Sequence, residues 1–294
     1  MREPGVGLLG TAYLRSLQAV GRFLPYGTSV YTRDWDVLVV LDACRVDLLR
    51  DVAPDTGLLR DIGTLRSVGS SSSEWLENTF RDEPAVEETV MVTGNTWTDR
   101  YLDATRFSAL DEVWKYSWDE DVGTVPADAI TDRAIALARS HDPEQLVVHY
   151  MQPHHPFVPA PLTGDDGMSR TGDHSSRSNP WTLLRRGEMT QAEVWAAYEA
   201  NLRHVLPEVA TLVENVTGRV AVTADHANLF GEWGLYGHPM YTPVPALLQV
   251  PWAVTTGEGH DTYTPSLEPP EPLPVSRVHT DTGAQTQLGA LGYL

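Results

Sequence analysis

The sequence predicts an α/β domain with a mostly parallel central sheet wrapped by helices. Three observations carry that prediction. Short apolar runs alternate with stretches of helical period, which is the pattern of parallel strands joined by crossover helices. The 294 residues, 41% of them apolar, can bury one large core. No apolar run reaches the roughly 18 residues of a membrane span, and no internal repeat is apparent.

Residues 36–41 (DVLVVL) read as a buried strand, and a helix starts in 44–51. Further strands are predicted at 62–68 and 88–93 (ETVMVT), with a helix near 73–80 between them. The amphipathic stretch 127–140 leads into a strand at 145–151 (QLVVHYM). The longest helical pattern, 190–214, feeds a strand at 219–224, and another strand follows near 245–250. Residues 160–188, rich in Gly, Ser, Asp and Arg, are expected to form a long excursion or lid. Residues 255–275 are proline-rich and extended, and the terminal QTQLGALGYL is expected to dock back as a short helix.

At the N-terminus, Leu8, Leu9, Tyr13, Leu14, Leu17, Val20 and Leu24 recur at helical spacing with Arg15 and Arg22 between them. This predicts an amphipathic helix within 1–24 that docks on the body of the protein, the alternative being a helix lying on a membrane surface. The organisation is therefore one domain over 25–254, an N-terminal helix, and a tail over 255–294.

The net charge of −19 is unusual, and Lys115 is the single lysine. An acidic, lysine-poor surface over a normal core suits a salt-rich cytoplasm, where salt screens carboxylate repulsion. With no basic stripe, nucleic acid is not an expected partner. The lone Cys44 excludes an intramolecular disulfide. The N-terminus lacks the charged, apolar, small-residue order of a signal peptide, which predicts a cytoplasmic protein, membrane-associated if the N-terminal helix binds lipid.

Chemistry concentrates in four segments. In RVAVTADHANLFGEWGLYGH (219–238), a strand ends in Asp225–His226, and Gly237–His238 follows. Asp42 follows VLVVL directly, so both acidic groups should emerge on one rim of a parallel sheet. Asp42, Asp225 and His226 make a mixed oxygen–nitrogen site for one divalent ion, Mn²⁺, Zn²⁺ or Ca²⁺. Taken alone, Asp42 would read as the N-cap of the following helix. In SVGSSSSEW, Ser70 to Ser73 lie between a strand and a helix, where amides and the helix dipole favour an anion and a metal-bound hydroxyl becomes a nucleophile. Ser72, two residues before Glu74, is the expected nucleophile, and spacing leaves Ser70, Ser71 and Ser73 open. Past the strand end, His149-Tyr-Met-Gln-Pro-His154-His155-Pro-Phe makes a rigid polar rim. His149, inside the strand, reads as structural. His154 and His238 would bind ester oxygens or protonate a leaving group, and His238 is alternatively a metal ligand. Arg185 and Arg186 in the excursion are either contacts for an anionic substrate or solvated charges.

In this order the segments resemble the alkaline phosphatase superfamily, in its sulfatase-like branch, over roughly residues 36–250. The resemblance implies a three-layer sandwich, a metal held by Asp42, Asp225 and His226, and a nucleophile in SVGSSSSEW. It also implies a polar substrate contact from Asn95 in VTGNTW and from His155 in QPHHPF. Sulfatases carry a second aspartate where this chain has Ala43, a Cys/Ser-x-Pro-x-Arg nucleophile segment that SSSSEW lacks, and often lysine where His238 stands. These departures favour an unmodified serine and phosphoester chemistry, as in the phosphoglycerol-transferase branch, over formylglycine-dependent sulfate hydrolysis. The expected function is thus a metal-dependent hydrolase or transferase of phosphate or sulfate esters, its substrate an anionic ester on a glycan or lipid head group. The alternative is a non-catalytic relative that binds an anionic ligand or a partner.

Overall fold

A computed structural model describes residues 8–170, 178–271 and 273, with the side chains of Leu8 and Leu9 excepted. In chain order its elements are α1 Leu8–Gly21, β1 Val37–Leu41, α2 Val46–Thr56, β2 Gly63–Arg66, α3 Ser72–Phe80, β3 Thr89–Thr93, α4 Thr98–Tyr101 and β4 Ala109–Glu112. There follow α5 Ala127–His141, β5 Gln145–Tyr150, α6 Pro180–Arg186, α7 Gln191–Asn215, β6 Thr217–Thr223, β7 Leu229–Phe230, β8 Tyr236–Gly237, α8 Pro245–Leu248 and β9 Gln249–Glu258. No helix among the described residues is long and apolar enough to cross a membrane.

Seven strands form one sheet in the order β2-β9-β6-β1-β5-β3-β4. The run from β6 to β4 is parallel throughout, and β9 lies antiparallel to both β6 and β2. All five residues of β1 are buried, which explains its unbroken VLVVL: a central parallel strand meets helices on both faces. Adjacent residues of β5 show the layering directly. Tyr150 reaches Thr131 of α5 with a hydroxyl contact of 2.8 Å, whereas His149 meets Trp75 of α3 edge-on at 5.6 Å. Successive strand residues point to opposite faces, so α5 and α3 cover opposite sides of the sheet. The longest helix, α7, opens with a capping box between Thr190 and Glu193, legible in its T-x-x-E start.

Three element predictions need correction. The short strand β4 was not anticipated, because ALDE carries two acids; Asp111 is buried there with Arg133 and the Tyr116 hydroxyl each bonding it at 2.7 Å. The strand expected near 245–250 begins at Gln249, after the proline-started helix α8, and runs to Glu258, so the first residues assigned to the tail belong to the sheet. The α1 helix ends at Gly21, short of Leu24. The terminal QTQLGALGYL lies outside the described residues.

The topology positions the site. From β1 the chain crosses to β2 at one edge, then to β3 and β4 at the other, returns to β5 on one flank of β1, and crosses to β6 on its opposite flank. Such a switch point opens a crevice at the carboxyl ends of the strands. Leu38, fully buried in β1, holds that platform. Leu38→Ala should lower unfolding free energy by about 2–5 kcal/mol in denaturant titrations, the range for a large-to-small change in a packed core.

Candidate metal centre and active site

Four adjacent parallel strands deliver the site residues at their carboxyl ends. Asp42 follows β1, Asn95 follows β3, His154 lies just beyond β5, and Asp225–His226 follow β6. The Asp42 amide donates to the Tyr150 carbonyl, and its own carbonyl accepts from the His154 amide, each at 3.1 Å, so the β1 and β5 ends move as one. The helix α2 starts at Val46 with Arg45 as its N-cap residue, and Asp42 therefore caps nothing.

Asp42, Asp225 and His226 converge, with ligand atoms all within 4.8 Å of one another and all three residues fully buried. Each has its remaining atom already engaged. Asp225 Oδ1 accepts the Ala43 amide at 2.9 Å and the His226 amide at 2.8 Å, leaving Oδ2 without a partner. Asp42 Oδ2 accepts from Asn95 Nδ2 at 2.8 Å, leaving Oδ1 without one. His226 Nδ1 faces the Ala227 carbonyl at 2.9 Å, which makes that nitrogen the N–H and leaves a lone pair on Nε2. Two orphaned carboxylate oxygens and one imidazole lone pair, aimed at a common point in a dry interior, fit a divalent cation.

The electrostatics agree. Burial raises the Asp42 carboxyl, but the adjacent His149 ring and the nearby His154 and His226 rings outweigh it and hold Asp42 below the usual carboxylate range. Burial and the Asp42 charge both push Asp225 upward. Two like charges about 4 Å apart repel by roughly 4 kcal/mol at an effective dielectric near 20. A bound cation would convert that repulsion into attraction.

His149 was read from the sequence as structural, and the geometry corrects this. Its Nε2 lies 3.4 Å from Asp42 Oδ2 and 4.0 Å from Asp225 Oδ2, with neither ring nitrogen hydrogen-bonded. It is a fourth side chain at the carboxylate pair and could serve as a ligand. The period-2 alternation of β5 aims it there, away from α5.

Ser72 begins α3, and its Oγ sits 3.3 Å from Asp42 Oδ2 and 3.2 Å from His226 Nε2. The other serines are occupied elsewhere. Ser70 binds the Glu74 carboxylate through both its amide and its hydroxyl, at 2.8 and 2.6 Å, and Ser71 pairs with Ser73 at 3.1 Å. Glu74, 2% exposed, also accepts from the Tyr241 amide at 2.9 Å and from the Tyr26 hydroxyl. It therefore ties the serine turn to the loop that follows His238, a role the sequence did not suggest.

His154 and His238 face each other, Nε2 to Nε2, at 3.0 Å, and His238 stacks on His226 at 4.5 Å. Burial depresses His154 to about 4 and drives His238 well below its ordinary value, the neighbouring imidazoles adding to both. Both rings are therefore neutral near pH 7. His154 Nδ1 faces the His155 carbonyl at 2.5 Å and must be its N–H. The proton between the two rings then belongs to His238 Nε2. His155 stacks on His154 and lies 3.3 Å from Asp165.

These groups open onto a cavity of about 240 Å³, lined by Asp42, Ser72, Asn95, His154, His155 and His238 together with Gly167, Met168, Asn179 and Trp181 of the 160–188 excursion. Arg185 and Arg186 are not in its wall, and Arg186 is 3.9 Å from Glu188. Among the described residues, no lysine or arginine lines it. Gly237 permits the close approach of α6: at its φ of +69°, a Cβ would stand 3.0 Å from the Trp181 ring.

Two residues of α7 brace the site and were missed in the sequence. The Tyr198 hydroxyl bonds the Ala43 carbonyl, and Ala43 holds a left-handed φ of 60° that presents its amide to Asp225. Asn201 donates to the His154 carbonyl at 2.9 Å and accepts from the Val158 amide at 3.1 Å. Their i, i+3 spacing puts both on one helix face, where buried polar residues in an otherwise apolar stripe were the available signal. In the 219–238 segment, Glu232 stands outside the metal cluster and pairs with Arg45 at 2.7 Å, anchoring the loop to α2.

Adding Mn²⁺ or Zn²⁺ to chelator-treated protein should raise the melting temperature, corresponding to about 2.7 kcal/mol at a hundredfold excess over Kd. Asp225→Asn should abolish that rise while leaving the metal-free protein at least as stable as the unsubstituted chain, because one buried charge is gone. Differential scanning fluorimetry with and without chelator reads both effects.

No known protein family's sequence profile matches the chain, and no curated protein matches it by sequence. Solved structures do. The integral membrane protein lipooligosaccharide phosphoethanolamine transferase A from Neisseria meningitidis superposes with a TM-score of 0.50 at 12% identity, covering 85% of this chain and 55% of that one. The C-terminal periplasmic domain of EptC from Escherichia coli, in complex with Zn, gives 0.49 at 12% identity, covering 81% and 78%. A protein in the alkaline phosphatase superfamily from Vibrio parahaemolyticus gives 0.44 at 13% identity, covering 83% and 68%. The chain spans about 55% of the length of the full-length transferase. The likeness is one of fold: with its seven-stranded, mostly parallel sheet, this chain shares the α/β fold of the phosphoethanolamine transferase.

Proposed function

We propose that the chain is a metal-dependent enzyme acting on phosphate or sulfate esters, with Ser72 as nucleophile and phosphoesters as the preferred class. One observation carries this reading: the Ser72 hydroxyl stands beside both Asp42 and His226, at the edge of the only three-residue ligand cluster found among the described residues. The fold likeness to a phosphoethanolamine transferase supports the ester class. A serine with no Pro-x-Arg context suits a direct serine ester better than formylglycine chemistry.

Asp42, Asp225 and His226 would hold the cation, with His149 in reach as a further donor. When bound, it would supply Lewis-acid charge that lowers the proton affinity of the Ser72 hydroxyl and neutralises ester oxygens. Ser72 Oγ attacks the central phosphorus or sulfur, the bond to the leaving oxygen breaks, and a covalent serine ester forms. Water or a second alcohol then displaces the serine. The positive end of α3 faces the incoming anion at Ser72. The His238 Nε2–H, which donates to His154 in the free site, would bind a non-bridging oxygen or protonate the leaving oxygen once substrate displaces that contact. Asn95 orients Asp42 through one N–H, while His155 contributes a ring edge to the wall. With no lysine or arginine among the described residues of that wall, the cation and the histidine N–H groups are the donors there that would meet the substrate charge.

Paired aryl phosphate and aryl sulfate assays across a metal series, run at high salt, test the reading. The phosphate ester should turn over faster, and Ser72→Ala should lower kcat by at least about 10³-fold with an unchanged melting temperature. Mass spectrometry should find the trapped ester on the peptide carrying Ser72. Turnover by Ser72→Ala within tenfold of the unsubstituted enzyme would remove Ser72 as nucleophile. Absence of both metal uptake and turnover would make the protein a ligand-binding relative.

A further inference from the structure

We propose that the outer face of α1, continued by Phe23, Leu24 and Trp233, docks on an anionic lipid surface. The inference does not depend on the catalytic reading. Four of the five exposed large hydrophobic side chains among the described residues lie on or just after α1, Tyr13 43%, Val20 50%, Phe23 86% and Leu24 52% exposed, and the fifth, Trp233 at 57%, stands two residues from a leucine that packs on α1. The rest of the described surface follows the ordinary rule of covering such groups.

The inner face of α1 is already committed. Leu14 and Leu17 pack into a cluster with Leu229, Leu235 and Val244, and Gln18 Nε2 donates to the Met240 carbonyl at 3.1 Å. Gly21 lies so close to the 240–243 loop that a Cβ there would stand 2.0 Å from the Tyr241 carbonyl oxygen. The helix is therefore fixed on the body, and its apolar outer face is not a surface waiting to fold inward. Trp233 extends the same region, two residues from the Leu235 on which α1 packs. The outer face carries Ala12, Tyr13, Ser16, Ala19 and Val20, flanked by exposed Arg15 and Arg22.

Charge selects the partner. The chain is −19 overall, yet from residue 4 to residue 33 it contains no Asp or Glu and carries Arg15, Arg22 and Arg33. A Debye length near 10 Å at 0.1 M salt makes this local balance, not the distant acids, the one felt at a docked surface. Aromatic and aliphatic side chains beside arginines match the interface of an anionic bilayer. A neutral protein partner would give no reason for the exclusion of acids. The helix also rests on the loop that follows His238, so docking would bring a lipid-borne ester near the cavity.

Flotation of the full chain with phosphatidylcholine vesicles, with and without about 30% phosphatidylglycerol, tests the proposal. The unsubstituted chain should float with the anionic vesicles and much less with the neutral ones. Val20→Ser combined with Phe23→Ser and Trp233→Ser should reduce the floated fraction by about tenfold or more, with Phe23→Ser alone as the milder variant if the triple change unfolds. Arg15→Glu with Arg22→Glu should erase the preference for anionic vesicles. Asp225→Ala should float like the unsubstituted chain, which separates this proposal from the catalytic one. Failure of the unsubstituted chain to float, or equal flotation of the triple variant, would overturn it. So would sedimentation showing a lipid-free dimer that the triple variant dissociates, since a second copy would then cover the face.

Discussion

Two carboxylates buried together, Asp42 and Asp225, are the constraint around which the molecule is organised. Removed from water, and with no lysine or arginine paired to either among the described residues, they cannot both be charged without compensation. The fold supplies partial compensation from the Ala43 and His226 amides, the Asn95 amide and the His149 and His226 rings. It stops short of satisfying Asp42 Oδ1 and Asp225 Oδ2. A pair held this firmly, yet left with two free oxygens on one side, is built to receive a positive charge. Ser72 and the His154–His238 pair are arranged around that same point.

The precision of the arrangement comes from the helix α7 and from Glu74, neither of which supplies a reacting group. Tyr198 holds the strained Ala43 carbonyl and Asn201 holds the His154 loop, so a single rigid helix sets the separation of the β1 and β5 ends. Glu74 performs the same service between the serine turn and the loop after His238. Substitutions at these positions would act through displacement of the site and not through contact with substrate.

Much of the fold was legible because parallel strands buried on both faces announce themselves as unbroken apolar runs, as in VLVVL and QLVVHYM. ALDE was not legible as a strand, because its two acids are satisfied by Arg133, Tyr116, Thr98 and Lys115, partners distant in sequence or outside the local pattern. The position of the Asp225–His226 pair at a strand end pointed to its place in the cluster, and the serine run pointed to a helix start. His149 was misread because membership of a strand does not say which face a side chain takes until the neighbouring layers are known. Ala43 looked like a loss relative to sulfatases, yet its backbone amide binds Asp225.

The sequence by itself determined the fold class, the strand ends at which chemistry is placed, and the kinds of side chain available there. These follow from local periodicity and from the chemistry of each residue, which need no knowledge of distant neighbours. Only the tertiary structure decided which of four serines faces the carboxylates, that His149 joins them, and that His154 meets His238. It also decided which apolar side chains of α1 are buried and which stay exposed. The physical reason is shared by all of these. Each depends on strand order and helix packing, which bring together residues as far as 222 positions apart, and no local pattern encodes that pairing.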